Sequence, residues 1–160
     1  GQTVKLTRNG LDHVQFMIST NPGEPLKPLQ KVASGGEISR IMLALKSIFA
    51  EHQNMTSVIF DEVDTGVSGR VAQSIAKKIH QISNNSQVLC ITHLPQVAAM
   101  ADQHLLIEKD QSDNHTTTRV KKLNQNESIV EISRMMSGTE ITETTLQHAE
   151  ELIKQAKETV

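Results

Sequence analysis

Three short stretches carry residue types suited to phosphate, metal and proton chemistry. Ser34-Gly35-Gly36-Glu37 opens an apolar helical period and puts two glycines in its first turn. Ser at the N-cap with Glu three residues on is a capping box, and a cap alone could start this helix. Each first-turn glycine nevertheless costs on the order of 1 kcal/mol relative to Ala, which a cap does not explain. Without Cβ atoms, the first-turn N–H groups can meet an anion at the positive end of the helix dipole, the chemistry of phosphate binding. Further on, Ser57-Val58-Ile59-Phe60 runs directly into Asp61-Glu62. A buried strand would deliver Asp61 as a rigid oxygen ligand for Mg²⁺, direct or through water. Strand alternation would turn Glu62 the other way, to polarise an attacking water without like-charge conflict. For an isolated Asp-Glu pair, a solvated acidic turn is the simpler account. Asp64-Thr65-Gly66-Val67-Ser68-Gly69 follows as a turn-forming stretch. His93 then closes a second apolar run and would bring an imidazole to the same sheet edge. His13, His52, His80, His104, His115 and His148 read as surface or core residues, since none ends a buried strand followed by a helix.

The elements that must position these groups follow from periodicity. Ile38, Ile41, Met42, Leu45, Ile48 and Phe49 fall on one face of a helix from Ser34 to near His52. Ser57–Phe60 and Gln87–Thr92 lack alternation, as strands buried on both faces do. A helix from about Gly69, with Val71, Ile75, Ile79 and Ile82 inward, separates them, and Pro95 opens a short helix through Met100. Strand, helix, strand, helix implies a parallel sheet. Leu105–Ile107 and Thr117–Leu123 read as an antiparallel pair at its edge. A helix carrying Ile129, Ile132 and Met136 stops at Gly138, and Thr142 caps a last helix burying Leu146, Ala149, Leu152, Ile153 and Ala156. Upstream, Asn9-Gly10 between Val4–Arg8 and Val14–Ile18 signals a hairpin, and the prolines of Asn21–Pro28 signal a loop. The fold class is α/β, one domain over residues 1–160, with a mainly parallel sheet, flanking helices and antiparallel edge strands.

Composition narrows the partners. Sixteen Lys+Arg against 18 Asp+Glu give a net charge of −2, so bulk electrostatics offers no reason to bind nucleic acid. Lys77-Lys78 and Lys121-Lys122 are the only adjacent basic pairs, and Trp and Tyr are absent, leaving no stacking platform. Lys46 and His93 interrupt the apolar stretches long before a membrane span, and the single Cys90 excludes an internal disulfide. The expectation is a cytoplasmic protein in a reducing compartment. The start, Gly1-Gln2-Thr3-Val4, has neither initiator Met nor signal sequence, so a piece of a longer protein is expected.

Lys31–Lys46, Asp61–Gly69 and Ile91–Ala99, in that order, resemble the signature, Walker B/D-loop and His-switch segments of the RecN family, bacterial DNA-repair ATPases related to the SMC proteins. The resemblance runs from about Gly10 to the last helix. It implies the C-terminal lobe of an ABC/SMC-type head, in which two heads sandwich two ATP molecules and the signature of one contacts nucleotide held by the other. Position by position it makes Asp61 the Mg²⁺-associated aspartate, Glu62 the catalytic glutamate, Asp64 the D-loop aspartate at the dimer interface and His93 the γ-phosphate switch. Ser34, Gly35 and Gly36 would act in trans. Glu37 stands where many transporters have Gln, which favours the SMC-like branch. The implied cofactors are ATP and Mg²⁺, and the implied partners are a Walker A lobe of the same protein, a second head, and DNA near the nucleoid.

One departure outweighs the matches, since no Gly-x-x-x-x-Gly-Lys-Ser/Thr occurs in the chain. The backbone nest and lysine that hold β- and γ-phosphates are therefore not here. In the resembling family they belong to an N-terminal lobe beyond a long coiled coil, and no heptad run occurs here either. Such a lobe alone is expected to bind ATP poorly and hydrolyse none. Two other readings stay open: a different SMC-like or ABC-type ATPase head, and a dimerisation or partner-docking module without its own catalysis.

Overall fold

In the computed structural model, residues 8, 10–12, 14–19, 22–32, 34–49, 56–112, 115–138 and 140–158 are described. The chain divides into two compact units, residues 1–35 and 36–160. In the first, a two-residue strand β1 (Met17–Ile18) pairs antiparallel with β2 (Lys27–Pro28), and α1 (Leu29–Val32) follows. The segment Asn21–Pro28 is thus not all loop. Pro28, which has no N–H to donate, is tolerated because β2 has a partner on one side only among the described strands. The expected hairpin partner Val4–Arg8 lies almost wholly outside the described residues.

The second unit is built on β3 (Ser57–Phe60) and β4 (Gln87–Cys90), joined through α3 (Gly69–Ser83). The strands are parallel, with Ser57 opposite Gln87 and Phe60 opposite Cys90. The ladder runs on past the strands, the Ile91 N–H donating to the Phe60 carbonyl at 2.9 Å. Val58 and Phe60 on β3 pack with Ile75, Ala76, Ile79 and Ile82 on α3. The inward residue of the first α3 turn is Ala72 rather than Val71, which is exposed. With Ala72, Ile75 and Ile79 the true stripe keeps the helical spacing. Leu43 from α2 (Gly35–Phe49) and Val97 from α4 (Pro95–Ala98) complete this core. The expected end of α2 near His52 lies outside the described residues.

Three expectations are corrected here. The strands are buried on one face only: Ile59 is 68% exposed, Leu89 44% and Ile91 50%. A lone pair of parallel strands with helices on one side leaves its other face to solvent, whereas parallel sheets ordinarily cover both. The apolar face of α2 is likewise largely open, with Ile38, Met42, Leu45, Ile48 and Phe49 exposed. Finally, β5 (Leu105–Ser112) and β6 (His115–Lys122) do pair antiparallel, but as a separate sheet rather than at the edge of β3–β4. The described strands therefore form three two-stranded sheets, of which only one is parallel.

A second core joins Ala98 and Ala99 to Ile132 on α5 (Gln125–Ser137) and to Ala149 and Ala156 on α6 (Glu143–Glu158). The helix ends follow their sequence signals. Asn124 and Glu127 close a capping box on α5, Gly138 ends it at φ +77°, and the Thr142 hydroxyl accepts from the Thr145 N–H at 3.2 Å. No described helix is long and apolar enough to cross a membrane.

Candidate nucleotide-site residues

The C-terminal end of β3 is where the chemistry gathers. Strand geometry stops at Phe60, and Glu62 takes a left-handed backbone conformation, φ +58°. This conformation is uncommon for a residue with a Cβ. The period-two prediction for Glu62 therefore fails: this turn, not alternation along a strand, sets it apart from Asp61. Both residues are exposed, while Val63 and Asp64 are buried. Among the described residues neither the Asp61 nor the Glu62 carboxylate has a hydrogen-bond or ion-pair partner. The turn is closed from within, Thr65 N–H donating to the Glu62 carbonyl at 3.2 Å and Val67 N–H to that of Asp64 at 3.4 Å. Gly66 sits at φ +73°, where glycine alone has no steric penalty.

Asp64 is 2% exposed. Its Oδ2 accepts from the Thr92 hydroxyl and, at 3.2 Å, from the His93 N–H, and lies 3.5 Å from His93 Nδ1. The structure thus brings together two of the predicted residues, Asp64 and His93, through a third, Thr92, that no sequence signal singled out. The His93 ring is itself 67% exposed. Nearby Cys90 has its thiol pushed up to about 12, mainly by burial and then by the negative charges of Asp64 and Asp61. At neutral pH it is a protonated, unreactive thiol.

At the start of α2, Ser34 and Gly35 are exposed at the end of the first unit, and Glu37 is partly buried. Gly36 is buried for an internal reason. A Cβ there would stand 3.0 Å from the Thr65 carbonyl oxygen and 3.1 Å from Arg40 Nη1 and Thr65 Cβ. Arg40 Nη1 donates to that same carbonyl at 2.8 Å. One of the two signature glycines is therefore accounted for by packing against the turn after β3. Arg40 and Thr65 were not predicted as site residues, and a long-range side-chain to backbone bond leaves no spacing rule in sequence.

The donor set fits Mg²⁺ bound in the manner of nucleotide sites. No described cluster of three or more His, Cys, Asp or Glu could hold a metal alone. Mg²⁺ ordinarily takes one or two carboxylates, keeps several waters and shares phosphate oxygens, and Asp61 at a strand end can be such a ligand.

No family model matches the chain. Sequence comparison does: it is 67% identical over 156 residues to the DNA repair protein RecN of Bacillus subtilis, covering 98% of this chain and 27% of that protein. Over nearly its whole length the chain is similar to one part of RecN. RecN of Vibrio cholerae is 46% identical over 144 residues and RecN of Streptomyces coelicolor 43% over 157, covering 90% and 98% of this chain. The RecN-like chain spans about a quarter of the length of these relatives, 26% and 27% for the latter two. A solved structure from work on ATP-driven dimerization and DNA-stimulated activation of SMC ATPases superposes with a TM-score of 0.50 at 20% identity. It covers 78% of the RecN-like chain and 81% of its own, which supports a shared fold.

Proposed function

We propose that residues 1–160 act as one C-terminal lobe of the ATPase head of a RecN-like DNA-repair protein. The observation that carries this reading is the pair of exposed carboxylates, unpartnered among the described residues, at the carboxyl end of a parallel strand, where α/β sheets bind their ligands. In this reading Asp61 would hold Mg²⁺, which when bound would supply charge neutralisation for phosphoryl transfer. Glu62 orients the attacking water and accepts its proton. The His93 imidazole meets the γ-phosphate. Ser34, Gly35, Gly36 and Glu37 present the start of α2 to nucleotide held on a second head, so that two heads close over two ATP molecules.

The open apolar face of β3–β4 supports the other half of the proposal. Ile59, Leu89 and Ile91 form the kind of surface that a Walker A lobe of the same protein would cover. DNA enters through the repair function named for the relatives, and the net charge of −2 gives this lobe no bulk attraction for it. The proposed setting is the bacterial cytoplasm, at the nucleoid.

The test is Mg-ATP hydrolysis by this chain alone and after mixing with a separately expressed Walker A lobe, with Glu62→Gln as control. Activity only in the mixture, lost in the control, is expected. Hydrolysis by the chain alone would misplace the phosphate site. No hydrolysis by two folded, associated lobes would favour a docking module without catalysis.

A further inference from the structure

We infer that Asp64 is the positioning residue for His93, acting from inside its own lobe rather than across a dimer interface. This rests on the functional reading above. A carboxylate at 2% exposure has little surface left for a second head, and burying its charge is costly unless donors surround it. The donors come from one short segment. Thr92 gives its hydroxyl, His93 its N–H at 3.2 Å, and His93 Nδ1 stands 3.5 Å away. The Thr92 hydroxyl oxygen in turn accepts from the Leu94 N–H at 3.0 Å. One buried oxygen, Oδ2, thereby fixes residues 92–94 after β4.

The His93 ring has no comparable support elsewhere. It is 67% exposed, so packing does not orient it, and Asp64 is its one ion-pair partner among the described residues. Asp64 belongs to the same turn as Glu62, which is closed by two internal bonds, Thr65 N–H to the Glu62 carbonyl and Val67 N–H to that of Asp64, and is held from α2 by Arg40 on the Thr65 carbonyl. The turn that presents the carboxylate proposed as base therefore also aims the imidazole proposed to face the γ-phosphate. Glu62 and Asp64 stand two residues apart in one turn, and Asp64 reaches residues 92–93 through the hydrogen bonds above.

The experiment is a double-mutant cycle in the intact protein that carries this chain, reading kcat and KM for Mg-ATP. Asp64→Asn, close in size but uncharged, should lower kcat about tenfold or more with KM nearly unchanged. In a His93→Ala background the same substitution should have no further effect on kcat. A merely structural role would instead lower kcat equally in both backgrounds, and that result, or a wild-type kcat for Asp64→Asn, would overturn the inference. If Asp64→Asn fails to fold by circular dichroism, Thr92→Val decides by the same cycle, since it removes one donor and keeps the carboxylate. An inactive Glu62→Gln beside an additive Asp64→Asn defeats this inference alone. Absent turnover in the wild type, or full turnover in Glu62→Gln, defeats the functional reading and this inference with it.

Discussion

At the scale of single residues, the end of β3 separates groups by burial within four positions. Asp61 and Glu62 face solvent, whereas Val63 and Asp64 are enclosed. Cys90 records the resulting field. Its thiol is held up to about 12 against an ordinary 9.0, so between those values an unfolded chain releases a proton that the folded chain keeps. Stability should accordingly be unaffected by this group below pH 9 and should fall as pH rises from 9 toward 12. Cys90→Ala should flatten that part of a urea-midpoint profile taken across alkaline pH. Alkylation of native wild type near neutral pH should be far slower than of a free thiol. The predicted residue types at this site were legible in the sequence, because Asp-Glu after an apolar run and a His closing another are local signals. The partnership of Asp64 with His93 was not, since it joins positions 29 apart through the fold.

At the scale of elements, α2 is tied to the turn after β3 at one point. Gly36 lets the helix close on Thr65, and Arg40 bonds the Thr65 carbonyl four residues further along the same helix. Gly36→Ala inserts a Cβ at 3.0 Å from a backbone oxygen, which cannot swing aside as a side chain would. Helix propensity would gain up to about 1 kcal/mol from alanine, but overpacking against fixed backbone costs about 1–3 kcal/mol. A net loss of stability is expected, read as a lower thermal midpoint, and a rise would show that the contact yields. The helices themselves were readable from period and end signals, as Gly138 after α5 and Thr142 before α6 attest. Which face they bury was less so. Periodicity finds an apolar stripe on α2 but not what covers it, and on α3 Val71 and Ala72 both lie at helical spacing from Ile75, yet Ala72 is the one buried.

At the scale of the whole molecule, the described residues form two cores and leave one sheet face uncovered. Among the described residues, three separate two-stranded sheets replace the single sheet expected, because the pattern of strands shows which segments are extended but not how many strands flank them. The open face explains how strands composed as if buried on both sides can be half exposed here. It also gives meaning to the backbone of Glu62. A side chain held at φ +58° costs about 1–2 kcal/mol that glycine would not incur. Glu62→Gly should therefore melt no lower than wild type while abolishing ATP turnover in the intact protein, and a clear drop in melting temperature would refute it. A screen that ranks variants by thermal stability alone would then promote an inactive one, and a sequence optimised only to fold would lose this glutamate first.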